Sequence, residues 1–158
     1  MPRLSWLARV LRGGAAGAAA TAAMSVVQLA ARARDVSDDT EPELIADTSL
    51  RRAGVDVSEP AADALSAWAH LAYGTACGAM YALIEPMLPR RVDRVGAGAT
   101  FGLVVALVSY EVWVPSLGAL PPLHRQRPRR RWPLLAAHVV YGVVLGATVG
   151  RQQRAGAR

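Results

Sequence analysis

Residues 69–79 read AHLAYGTACGA, and residues 137–147 read AHVVYGVVLGA. Six of the eleven positions are identical, so the pattern A-H-x2-Y-G-x3-G-A occurs twice. Alanine and glycine matches are cheap in a chain so rich in both. The histidine and tyrosine matches are not, because the chain holds only three histidines and four tyrosines. At 100° per residue, His70, Tyr73, Gly74 and Gly78 fall within an arc of about 140° on one helix face. His138, Tyr141, Gly142 and Gly146 repeat that face. Glycines four apart let a neighbouring backbone approach closely, the usual device by which helices pack inside a bilayer.

Around these two stretches the chain divides into long uncharged windows at 13–31, 64–84, 95–114 and 132–150. They hold 19, 21, 20 and 19 residues, and Glu111 is the only formal charge in any of them. About 20 apolar residues suffice for a helix to cross the hydrocarbon core. The windows are apolar all round, without the one-sided stripe of a soluble amphipathic helix. The expected fold is therefore an all-α, polytopic membrane protein, one domain over residues 1–158, with four transmembrane helices. Helices two and four carry the repeat and run in the same direction. Two repeated helical hairpins related by a pseudo-twofold along the membrane normal are the simplest arrangement. Gly13/Gly17 and Gly98/Gly102 give helices one and three the same four-residue spacing.

The charges sit outside the windows. All 18 basic residues are arginine, a usage associated with G+C-rich bacterial genomes, and the net charge is +6. Arginines at window edges meet lipid headgroups, so the bilayer and its anionic headgroups are the expected partners. The run from Arg125 to Arg131 carries no interleaved aromatics for base stacking, which argues against nucleic acid. Cys77 is the single cysteine, which excludes an internal disulfide. Residues 35–63 form an acidic extramembrane segment with nine of the twelve carboxylates. Thr40 to Glu43 has capping-box spacing, which predicts a helix over about 42–53 closed by Gly54. Leu44, Ile45 and Thr48 would rest on the membrane interface while Arg51 and Arg52 reach phosphates; an ordinary solvated loop helix is the equal alternative. Ser58 would cap the second membrane helix.

His70 and His138 each lie six residues into their windows, about 9 Å below the surface. Glu111 ends the third window on the same face, with Tyr110 beside it and Gln28 at similar depth in the first. Trp68, Trp113 and Trp132 mark an aromatic belt there. Ionisable residues at membrane depth are functional candidates by default. The candidate polar cluster is therefore His70, Tyr73, Glu111, His138 and Tyr141, and the helix-packing set is Gly74, Gly78, Gly98, Gly102, Gly142 and Gly146. A glutamate–histidine bond that merely fixes the bundle competes with a proton or solute path, and with a haem held by His70 and His138. No sequence-local ligand pair points to a metal, and no nucleophile elbow, zinc-protease motif or phosphate loop points to an enzyme. The expectation is a non-enzymatic bundle without cofactor that self-associates or joins a membrane complex. A small transporter or channel subunit is the alternative, and a bis-His haem protein the third reading.

The stretches AHLAYGTACGAMYAL (69–83), PSLGALPPLHRQRP (115–128) and AHVVYGVVLGA (137–147) together resemble uncharacterised bacterial inner-membrane proteins, in particular the YagU-like group, a domain of unknown function. The resemblance covers helices two to four. It implies a small multi-pass helical protein of the inner membrane and brings no substrate or catalytic residues.

Orientation rests on arginine counting, and each face carries nine. The first helix usually decides, and three arginines precede it against two just after it, which favours both termini in the cytoplasm. Cleavage at Ala31-Arg32-Ala33 as a signal peptide is the competing expectation. Reporter fusions after Arg12, Arg91 and Arg158 should read one side of the membrane, and fusions near Asp47 and Gln126 the other. A mature N-terminus near Arg34 would leave three spans instead.

Overall fold

The computed structural model describes residues 6–34, 41–89 and 91–156. Thr40, the first residue of the expected capping box, lies outside them, as do Arg3, Arg90 and Arg158 of the orientation count. The described chain is helical with no strands. Helix α1 spans Trp6–Arg32, α2 Glu41–Arg52, α3 Glu59–Ile84, α4 Arg94–Val108, α5 Val114–Ser116 and α6 Pro128–Gly156. A π-helical turn over Ser109–Trp113 joins α4 to α5, so the two run on as one rod.

Helix ends follow local chemistry. Gly54 adopts φ 67° just past α2, where the Val55 and Gly54 N–H groups donate to the Leu50 and Arg51 carbonyls at 3.0 and 3.2 Å. That is the glycine-closed helix end expected at this position. Ser58 stands at the start of α3 with extended backbone, yet its side chain makes no capping bond. Asp93 caps α4 by accepting from the Gly96 N–H at 2.6 Å.

Three helices are long and apolar enough to cross a membrane: Trp6–Arg32, Arg94–Ser116 and Pro128–Gln152. The remaining expected window, α3, is not among them. Trp68, His70, Tyr73 and Tyr81 make its uncharged stretch less apolar than the others. One correction concerns α2. Its Leu44 and Ile45 pack against a buried cluster that includes Tyr110, Val114, Leu123 and Leu134. The helix therefore lies on the bundle through residues expected to face the membrane interface.

The main helices meet along glycine. α1 packs on α3, α4 packs on α6, and α1 also packs on α6, whereas α3 and α4 barely touch. A Cβ added to Gly13 would stand 2.7 Å from the Gly78 carbonyl oxygen, and one on Gly17 would stand 2.9 Å from Gly78 Cα. In the second pair, a Cβ on Gly98 would stand 2.7 Å from Gly146 Cα, and one on Gly142 would stand 2.8 Å from Ala99 Cα. Those distances are too short for real Cβ contacts. Both pairs are in backbone-to-backbone contact that only glycine permits at this spacing.

A buried ion pair ties the turn after α3 to the start of α4. Glu85 is fully buried, and its Oε1 lies 2.9 Å from Arg94 Nε. Burial pushes the Glu85 carboxyl up from the ordinary carboxylate range, against the opposing pull of Arg94 and Arg9. Such a pair is better at specifying register than at adding stability.

Leucine at Gly142 or Gly98 should push α4 off α6 and cost about 3 kcal/mol or more. Val143→Leu, on a less crowded face, should be tolerated. Thermal unfolding in detergent separates them; equal midpoints for all three variants would mean that the seam is not an interface.

Candidate functional site

Where α3 and α4 stay apart, a cavity of about 450 Å³ opens. Thr21 and Met24 of α1, Ala69 to Cys77 on one face of α3, Val105 of α4 and Tyr141 of α6 form its walls. Ser109, Tyr110 and Trp113 come from the π-turn, and α2 covers one side with Ile45, Ala46, Ser49 and Leu50. Arg32 of α1 holds that cover in place through Glu43, at 3.1 Å.

Four of the five predicted cluster residues meet here: His70, Tyr73, His138 and Tyr141 all line the cavity. The Tyr73 hydroxyl lies 3.0 Å from Ser109 Oγ and forms a hydrogen bond across the gap between α3 and the π-turn. The Tyr141 hydroxyl donates to the Gly74 carbonyl at 2.7 Å and so ties α6 to α3. His138 is buried, with the Tyr110 ring edge-on to it at 5.7 Å. Its Nδ1 lies 2.9 Å from the Leu134 carbonyl oxygen. A carbonyl can only accept, so Nδ1 carries the proton and donates. Among the described residues no further hydrogen bond reaches either Nε2 of His138 or the ring of His70.

Glu111 does not join them. Its carboxylate takes the His124 N–H at 3.0 Å and meets the His124 ring nitrogen Nδ1 at 2.7 Å, outside the cavity. The cause is the π-turn. Pro115 has no N–H to give the Glu111 carbonyl, and its ring would clash with that carbonyl in a regular helix. The chain widens by one residue, and the Val114 N–H bonds Ser109 O instead. Tyr110 turns inward to 5% exposure while Glu111 turns out. Regular helical geometry put Glu111 with the two histidines; the widened turn replaces that grouping with Glu111–His124.

Sequence reasoning missed the covering role of α2 and the contribution of Ser109. The signal for α2 was present in Leu44 and Ile45, whose apolar side was assigned to the membrane rather than to the bundle. Trp113 was placed in the interfacial belt and instead lines the cavity, 5.6 Å from the Tyr73 ring. Trp68 and Trp132 are exposed on the outer surface, and Gln28 is buried in α1. Among the described residues no three His, Cys, Asp or Glu side chains converge as a metal site.

The architecture defines the class: a bundle of apolar helices, three of them able to cross a membrane, around a His- and Tyr-lined cavity. The chain belongs to a family of unknown function, DUF6789, whose model matches residues 7–157. Nothing in that match ties it to the YagU-like proteins that its helices resemble; the broader expectation of a domain of unknown function is the part that stands. No curated protein and no solved structure matches the chain.

If Glu111 belongs with His124, Glu111→Gln and His124→Ala should have non-additive effects on the unfolding midpoint. Glu111→Gln combined with His138→Phe should simply add. A double-mutant cycle showing the opposite pattern would return Glu111 to the histidine layer.

Proposed function

We propose that this chain is a four-span membrane protein that binds a small lipophilic molecule in the cavity between α3 and α4. The observation that carries the reading is the cavity itself. Its volume of about 450 Å³ falls in the range of small-molecule sites, and its wall is apolar with a few convergent polar groups. The glycine seams are occupied within the chain, so they offer no free face for self-association, and the cavity carries the functional reading instead.

Several features support α3 as a fourth span. Its stretch from Ala64 to Ile84 is uncharged, and Leu65, Trp68, Met80 and Leu83 are exposed along it, as lipid-facing residues would be. The matching seams α1–α3 and α4–α6 favour two repeated hairpins. In this reading the protein sits in a bacterial inner membrane with both termini cytoplasmic, contacts anionic headgroups through its arginines, and catalyses nothing. Passage of the ligand through the cavity, as in a transporter, is compatible with the same site.

Protein purified from membranes should carry a lipophile enriched over the bulk lipid extract and approaching one molecule per chain, detectable by solvent extraction and mass spectrometry. Ala69→Phe and Ala46→Trp fill the cavity from opposite sides and should remove it at unchanged unfolding midpoint. Undiminished lipophile in both variants would sink the cavity-binding reading.

A further inference from the structure

The hydrogen-bonding state of His138 restricts the ligand chemically. Its Nδ1–H is committed to the Leu134 carbonyl at 2.9 Å, an i to i−4 contact within its own helix. In the neutral ring Nε2 is then a lone-pair acceptor. That side chain is only 5% exposed, it lines the cavity, and no other hydrogen bond reaches its Nε2 among the described residues. The neighbouring Tyr141, Tyr73 and Ser109 hydroxyls bond to other partners. Tyr141 gives its proton to Gly74 O at 2.7 Å, and Tyr73 shares a bond with Ser109 at 3.0 Å. His70 lines the same cavity with no hydrogen bond among the described residues, so its ring is free to serve as donor or acceptor.

We infer that the cavity selects a lipophilic alcohol or phenol, whose hydroxyl donates to His138 Nε2, over a carbonyl or ether of the same shape. The inference rests on the cavity-binding reading and adds the polarity of the ligand's head. A buried acceptor left unpaired is costly, so an analogue lacking the donor loses that bond and also leaves Nε2 desolvated. Sites built around one hydrogen bond reject such analogues more strongly than apolar walls reject a change of size. His70, able to play either role, meets the other lone pair of the hydroxyl or a second polar group on the head. Met24, Val105, Trp113 and Leu65 receive the apolar body.

The test compares 2-naphthol with 2-methoxynaphthalene, two probes that share an apolar body and differ in the donor. Binding to the full chain in nanodiscs is read by quenching of Trp113, with Trp6, Trp68 and Trp132 replaced by phenylalanine. Naphthol should bind roughly ten-fold more tightly than its methyl ether, the size expected for one buried hydrogen bond. That ratio should fall to near one in His138→Phe, while the ether binds the variant as it binds the parent. The comparison within the parent protein stands even if the variant does not fold. Equal affinity of the two probes in the parent overturns the donor inference and leaves cavity binding intact. No binding of either probe overturns both. Haemin giving a sharp Soret band of two-histidine ligation that His138→Phe abolishes also overturns the inference, because Nε2 would then be an iron ligand.

Discussion

Everything else in the fold depends on backbone meeting backbone along two glycine seams. In lipid, apolar side chains gain nothing by leaving one hydrocarbon surface for another, so helices associate through close van der Waals packing and hydrogen bonds. Gly17 against Gly74 and Gly78, and Gly98 against Gly142 and Gly146, bring the helices so near that a single methyl group would collide with the opposite backbone. The Thr21 side chain fits over Gly74 because its hydroxyl turns back to the Gly17 carbonyl at 2.8 Å. Two such pairs, joined through α1 and α6, place the main helices in the contact order α3, α1, α6, α4. The last possible contact, between α3 and α4, is the one left open. The cavity follows from that arrangement.

Large side chains then decide what kind of space it is. Tyr73, Trp113 and Tyr141 occupy its borders, and Tyr73 and Tyr141 reach across it by hydrogen bonds to Ser109 and Gly74. These bonds hold the gap at a set width and engage the Tyr141 proton and one of the two protons of the Tyr73–Ser109 pair. The void is therefore apolar, with few polar atoms still open to a partner. Both histidines of the repeated pattern are among them.

Much of this was legible in the sequence, for physical reasons that differ from residue to residue. Uncharged length identified the apolar helices, because a charge is expensive anywhere along a span. Glycine spacing identified the seams, because no other residue allows that approach. The repeat brought His70, Tyr73, His138 and Tyr141 to one site, since helical periodicity preserves a face over three or four residues. Legibility stopped where periodicity did. Pro115 forces the turn before it to widen, and one added residue swings every later side chain by roughly 100°. Glu111 was assigned by counting through a turn that is not α-helical, and it faces His124 instead. α2 failed differently: an amphipathic helix has one apolar side whether it lies on lipid or on protein, and composition does not distinguish the two.

The repeat also limits what sequence identity can mean. His70 and His138 occupy equivalent positions, each three residues before a tyrosine and four before a glycine, yet their surroundings are not equivalent. Four residues before His138 stands Leu134, whose carbonyl accepts the ring proton and thereby settles which nitrogen stays basic. Four residues before His70 stands Ser66, itself buried, and no such bond forms there. The π-turn adds to the asymmetry by laying Tyr110 against His138. Duplicated sequence thus supplies two imidazoles to one cavity, and the unduplicated neighbours give them different chemistry. One presents an acceptor of settled orientation, and the other can follow its partner. A ligand with a single polar end has a defined way to sit between two such groups, whereas two identical histidines would leave its direction open.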